Sequence, residues 1–290
     1  MCSLFKRTVA EVISVCKLEP STKNVYVEGI SDKLVIDCFL SRQKINDVTV
    51  YAIETIDFED VFSNMPQADR KIIAGNNKEK VAFLALMVEK EVTQCPFLAI
   101  IDRDLDFVNN HIKKGKYLSY TDYNSMDMYL YSQDYVDALL KNSFRITSNV
   151  HMGNLMSSIG KVCRALFHVR AYLESSNGSM VDVKKSFFYD KKDNTCVLDI
   201  TKYIQKIIQI NDVNDNSEEL CRQIEEKVNA PIDDIRLEIK GHDFIHILYL
   251  SICKHKKVSM SEEELANTFW VYLDDRVLAN EPLFQRICKL

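Results

Sequence analysis

The stretch Phe97-Leu98-Ala99-Ile100-Ile101 constrains the fold of this chain more than any other. Pro96 precedes it and would stop a helix, and an acidic, polar stretch follows. So short an apolar run, with no polar alternation, suits a strand buried on both faces. Such a strand belongs inside a sheet covered by helices. The neighbouring residues supply the rest of that sheet. Asn24-Val25-Tyr26-Val27-Glu28 reads as a strand closed by Gly29. Ser31 then stands at an N-cap position, and Leu34, Val35, Cys38 and Phe39 follow at helical spacing. Val48 to Ile53 reads as a second strand. Asn76 and Asn77 open a helix through Glu91 that carries Val81, Leu84, Ala85 and Val88 on one stripe. Lys116 to Thr121 is a candidate fourth strand. Strand, helix, strand, helix, strand is the alternation that builds parallel sheets with right-handed crossovers.

After about residue 130 the pattern becomes helical, over 133–142, 153–174, 199–209, 216–229, 243–254 and 261–270. The last of these opens on a capping box, Ser261 with Glu264. Ser186 to Tyr189 is one strand-like stretch, suited to a sheet edge. The expected fold is therefore α/β: a parallel sheet flanked by helices over 1–130, then a mainly helical region over 131–290. The longest wholly apolar run, Val81 to Val88, has eight residues, far short of the ~20 that span a bilayer. MCSLFKRTVAEV lacks the apolar stretch and cleavage site of a secretory signal, so a soluble cytoplasmic protein is expected. Nine cysteines without a CxxC pair suit small buried side chains in a reducing compartment, not disulfides or a zinc ribbon. The net charge is −5 with no basic tail, so a polyanion would be met by local patches or through a bound cation.

Two acidic groups stand out by position. Glu28 ends the first strand, with Asp32 four residues on, and Asp102, Asp104 and Asp106 follow the apolar run. Ligands of open parallel sheets bind beyond the carboxyl ends of the strands. Both groups are expected at that edge, on neighbouring strands. An extended Asp102-Arg103-Asp104 would turn both carboxylates to one side and Arg103 to the other. Converging carboxylates repel unless a cation or protons intervene. Oxygen-only donors suit Mg²⁺ or Mn²⁺, which can polarise a phosphodiester and acidify a bound water.

The segments Val27-Glu28-Gly29-Ile30-Ser31-Asp32 and Ile100-Ile101-Asp102-Arg103-Asp104-Leu105-Asp106 resemble a Toprim domain, the metal-dependent fold of topoisomerases, bacterial primases and OLD-family nucleases. The resemblance covers roughly residues 22–130. The VEGxSD and IDRDxD forms, the Asn-rich helix start after Gly75 and the later Thr121-Asp122 to Asp127 segment are most similar to an OLD-like subfamily. It implies Glu28 as a general acid/base or metal-associated glutamate, Asp102 and Asp104 as metal ligands, and Asp32 as a ligand of another ion. Asp127 stands where relatives carry a further acid, and Asp106 is an additional candidate ligand. The subfamily includes the effector subunits of PARIS two-gene anti-phage systems. That likeness implies a tRNA-cleaving toxin of the bacterial cytoplasm. It also implies a separate ABC-type ATPase that holds the toxin inactive, and release as a homodimer when a phage trigger is sensed. The absence of GxxxxGK[S/T] agrees with an ATPase on another chain. An OLD-like DNA nuclease or nickase, and a non-catalytic Toprim module that regulates a partner, are the rival readings.

Other features have competing explanations. Lys113, Lys114 and Lys116 are candidates to hold a phosphate, with Lys116 assigned to the catalytic set; an ordinary solvated loop explains them equally. Lys254-His255-Lys256-Lys257 follows a helix, where cations are expected. Lys184, Lys185, Lys191 and Lys192 flank Phe187, Phe188 and Tyr189, a pattern of single-stranded RNA surfaces and also of plain edge strands. Asp243 suits an N-cap, and His242 either bonds the backbone there or serves proton transfer. No HExxH or GxSxG motif occurs.

Overall fold

A computed structural model describes residues 6–63, 65–146, 150–175, 178–212 and 216–290. The first five residues of the amino-terminal reading therefore lie outside the described residues. The chain forms two units, Met1–Asp122 with Asp274–Leu290, and Tyr123–Leu273. Its strands are β1 (Arg7–Thr8), β2 (Lys23–Val27), β3 (Val48–Ala52), β4 (Ile56–Asp57), β5 (Phe97–Ile101), β6 (Leu118–Tyr120), β7 (Phe187–Asp190) and β8 (Thr195–Leu198).

The first unit is α/β. Its four-stranded sheet runs β3-β2-β5-β6 with every pair parallel, and β1 and β4 form a short parallel pair of their own. The five residues of β5 are all buried, as the apolar run required. Its helices are α1 (Val9–Leu18), α2 (Ile30–Arg42), α3 (Glu59–Phe62), α4 (Gln67–Ala74), α5 (Asn77–Glu91), α12 (Asp275–Leu278) and α13 (Pro282–Cys288). Alternation along the strands divides the core. Tyr26, Phe97, Ala99 and Ile101 pack with Val9, Val12 and Cys16 of α1 and the Val81, Leu84, Ala85, Val88 stripe of α5. Tyr26 stacks between Tyr51 and Phe97, with ring centroids 5.2 and 5.0 Å away, which ties three strands together on that face. Val25, Val27, Leu98 and Ile100, which alternate with these, are also buried, as are Ile36, Phe39 and Leu40 of α2.

The carboxyl-terminal helices depart from expectation. Residues 274–290 return to the first unit, where the sequence reading placed everything after 130 in one region. Phe284 of α13 meets Phe39 of α2 edge-on at 4.8 Å. The Leu283 N–H donates to Asp122 Oδ2 at 3.1 Å, and Gln43 Nε2 donates to Asp275 Oδ2 at 3.0 Å. An apolar helical stripe says that a helix is covered but not by what, so the return was invisible in the pattern.

The second unit is built from α6 (Gln133–Ala138), α7 (Met152–Ser175), α8 (Ile200–Asn211), α9 (Ser217–Asn229), α10 (Gly241–His255) and α11 (Glu262–Phe269). All six lie where helical periodicity put them. Ser261 and Glu264 form the expected capping box, each side chain accepting the other's backbone N–H. The strand-like stretch is real but has its own partner: β7 pairs antiparallel with β8, in a two-stranded sheet of this unit.

Candidate active site

The sheet order determines where a ligand crevice can open. β2 and β5 are direct neighbours, with Asn24, Val25 and Tyr26 level with Phe97, Leu98 and Ala99. β3 lies outside β2 and β6 lies outside β5. The chain therefore leaves these two strands in opposite directions, which makes their carboxyl ends the topological switch point of the sheet. Glu28 is the first residue past β2 and Asp102 the first past β5. Glu28 Oε1 accepts the Asp102 N–H at 2.8 Å, so the carboxylate continues the strand pairing beyond its last rung. Asn77 at the start of α5 donates to the Glu28 carbonyl at 3.0 Å and to Glu54 Oε1 at 3.3 Å.

Helix α2 begins at Ile30, and Gly29 rather than Ser31 holds its N-cap position. Asp32 Oδ2, at the third helical position, accepts the Gly29 N–H at 3.0 Å, the half of a capping box that reaches back to the N-cap backbone. Asp32 is thereby pinned one turn from Glu28. Burial pushes the Glu28 carboxyl up to about 7; the Asp102 N–H and Lys78 oppose the rise, while Asp104 and Asp32 add to it. A carboxyl so placed exchanges protons near neutrality.

Past Asp102 the backbone does not stay extended. Asp104 adopts φ 46°, in the left-handed region, and a turn runs on through Asn110. Strand-like alternation therefore fails at Arg103, whose guanidinium stacks over Phe107 at 3.6 Å. The turn is folded around Lys78. Its Nζ lies 3.4 Å from Asp104 Oδ2, 3.0 Å from Asp106 Oδ1 and 3.3 Å from the Arg103 carbonyl. Asp106 Oδ2 accepts the Tyr120 hydroxyl at 2.7 Å, and the same oxygen of Tyr120 accepts the Lys113 N–H at 2.8 Å. Both Asp106 oxygens thus hold the loop together. Tyr120→Phe is expected to cost about 1 kcal/mol and to speed hydrogen exchange at the Lys113 amide several-fold, read by NMR; unchanged exchange there would refute the tether.

Lys78 escaped the sequence reading, although it left a signal. It lies three, seven and ten residues before Val81, Ala85 and Val88, on the buried stripe, and in the first turn of a helix where acids are usual. Lys116 fares the other way. It lies two residues before Leu118, which is level with Ala99, so it stands at the amino end of the sheet. That is about 16 Å of strand from Asp102, at ~3.3 Å per residue. Its Nζ donates to the Thr93 carbonyl, and its N–H donates to Glu89 Oε2 at 2.8 Å. Lys116 is removed from the crevice. Lys113 is paired with Glu79 at 2.8 Å, and Lys114 is exposed.

The remaining candidates lie in the second unit. Asp127 packs against Gly241, where an added Cβ would fall 2.3 Å from Oδ2 and 2.4 Å from Cβ of Asp127. Burial raises the Asp127 carboxyl, and His242 counters the rise. Asp243 is not the N-cap; Lys240 is, and Asp243 sits in the first turn of α10 paired with Arg170 Nη2 at 2.8 and 3.0 Å. Phe188 is exposed on the hairpin while Phe187 is buried. Lys184, Lys185, Lys191 and Lys192 are exposed too, but so are Asp182, Asp190 and Asp193 among them. The hairpin therefore carries little net positive charge. Lys256 donates to the Phe144 carbonyl at 3.2 Å.

The donor chemistry in the crevice fits a hard divalent cation: carboxylates from Glu28, Asp32, Asp102 and Asp104, with no thiol or imidazole among them. Among the described residues no three His, Cys, Asp or Glu side chains form a ready metal cage. Mg²⁺ does not need one, since it is held by one or two carboxylates and keeps several waters. No protein-family model matches this chain, and no curated protein matches it. No helix among the described residues is long and apolar enough to cross a membrane.

Proposed function

We propose that this chain is a Toprim-type, Mg²⁺- or Mn²⁺-dependent nuclease, related to the OLD-like subfamily, whose favoured substrate is tRNA. The observation that carries the reading is the Glu28–Asp102 hydrogen bond across the switch point, which sets two acids of separate motifs on adjacent strand ends. Asp102 and Asp104, with Glu28 and Asp32, would hold the ion. Bound there, a divalent ion supplies Lewis acidity toward a phosphodiester and acidifies a coordinated water. Glu28, raised toward neutrality, is the residue placed to take or return a proton. Lys78 and Asn77 fix the loop and the strand end on which these acids stand. The choice of tRNA, control by a separate ABC-type ATPase, release by a phage trigger and action as a homodimer rest on the sequence resemblance alone.

The test is induced expression in bacteria of the wild type and of Asp102→Ala, with and without the ATPase and a trigger. Total RNA and plasmid DNA from each culture are then resolved. Discrete tRNA fragments with the wild type only are expected. Nicked plasmid with intact tRNA would move the reading to a DNA nuclease. No change in either nucleic acid under any condition would overturn it in favour of a non-catalytic module.

A further inference from the structure

Lys78 is an unusual residue for its place. It is 6% exposed, in the first turn of α5, where the helix dipole disfavours a cation. A buried ammonium is tolerated only where its charge is met. Its three N–H groups have three acceptors around them, Asp106 Oδ1, Asp104 Oδ2 and the Arg103 carbonyl, at 3.0, 3.4 and 3.3 Å. The Tyr120 ring closes the remaining side, 5.8 Å from Nζ. The acidic turn is thus organised around a fixed positive charge.

In two-metal sites the ions lie ~3.5–4 Å apart and share carboxylates. Asp104 Oδ2 faces Lys78 at 3.4 Å, and its charge is also felt at Glu28. A second divalent ion on this carboxylate would face a desolvated ammonium a few ångströms away, where repulsion is poorly screened. We propose that the Lys78 ammonium takes the place of a second divalent ion, so that the crevice binds one metal per chain. This rests on the metal-dependent reading above. It departs from the expectation that Asp32 serves another ion: Asp32 is a supporting carboxylate of the single site. It also gives Lys78 a purpose beyond packing, since a structural lysine would leave metal count unaffected.

The experiment titrates the full chain with Mn²⁺ alone, following binding by calorimetry and by electron paramagnetic resonance. The wild type and Lys78→Arg are expected to bind one Mn²⁺ with the six-line signal of an isolated ion. Lys78→Gln is expected to bind two, at least tenfold more tightly at the second position than wild type, with the broadened signal of coupled ions. Two coupled ions in the wild type would overturn the inference while leaving the metal reading intact. A folded Lys78→Gln that still binds one ion would overturn it equally. No binding by the wild type would overturn the metal reading and this inference together. Should Lys78→Gln fail to fold, the wild-type count alone decides.

Discussion

Glu28→Gln is expected to destroy the proposed nuclease activity and yet to make the metal-free protein more stable above pH 7. The two effects have one cause. Gln keeps the shape of Glu28 and can still accept the Asp102 N–H through its carbonyl oxygen, so β2 and β5 stay joined. It carries neither the charge proposed to help hold a cation nor the proton Glu28 is proposed to exchange. Losses of at least ~10²-fold follow removal of a general acid or base, and loss of the proposed metal contact would add to that. Stability moves the other way. Burial pushes the folded Glu28 carboxyl up to about 7, against an ordinary value of 4.5. Between those values the folded protein binds more protons than the unfolded chain, so stability falls as pH rises through this window. Below it the carboxyl is protonated in both states and the penalty disappears. Above pH 7 the penalty is complete, on the order of 1–3 kcal/mol after allowance for partial exposure. Melting curves at pH 5 and pH 8 should show Glu28→Gln several degrees above wild type at pH 8 only. Excess Mg²⁺ should close that gap by stabilising the wild type. Equal melting at both pH values would remove the argument that this carboxyl is strained by its surroundings.

Gly241→Ala is the second large expectation, and it concerns the second unit alone. A methyl group there would lie 2.4 Å from Asp127 Cβ and 2.8 Å from its Cγ. The obstacle is the root of the Asp127 side chain rather than a flexible tip, so rotation cannot relieve it. Overpacking of this kind costs about 1–3 kcal/mol. The loss should appear as a lower denaturation midpoint with an unchanged slope. Asp127→Gly in the same chain removes the obstructing atoms and should return much of the loss, leaving a coupling energy that independent sites would not show. If the double variant merely sums the two single losses, the close approach of Asp127 to Gly241 is not the reason for the glycine.

The legible part of the fold was the part governed by local pattern. An unbroken apolar β5, the α5 stripe and Ser261 with Glu264 each depend on residues near in sequence, and each stands where expected. The acids at Glu28 and Asp102 were equally legible, because strand ends in a parallel sheet share one edge. What escaped depended on the third dimension. Asp104 turns left-handed, and that single dihedral breaks the alternation assumed for Asp102-Arg103-Asp104. Lys116 is near Asp106 in sequence but at the far end of the sheet, since the chain must travel back along the strand direction to start β6 parallel to β5. Lys78 is distant in sequence from Asp104 and Asp106, yet it is the cation that reaches them. Charge proximity along the chain was a poor guide to charge proximity in space.

The return of residues 274–290 also sets a timetable for synthesis. Phe39 is made early, but its partner Phe284 emerges only after the whole of Tyr123–Leu273. At ~5–20 residues per second the interval between Phe39 and Phe284 lasts on the order of 10–50 s. Throughout it, the α2 surface that α13 will cover remains open on the ribosome. A nascent first unit therefore lacks part of its core, and its completion is deferred until the second unit has been made.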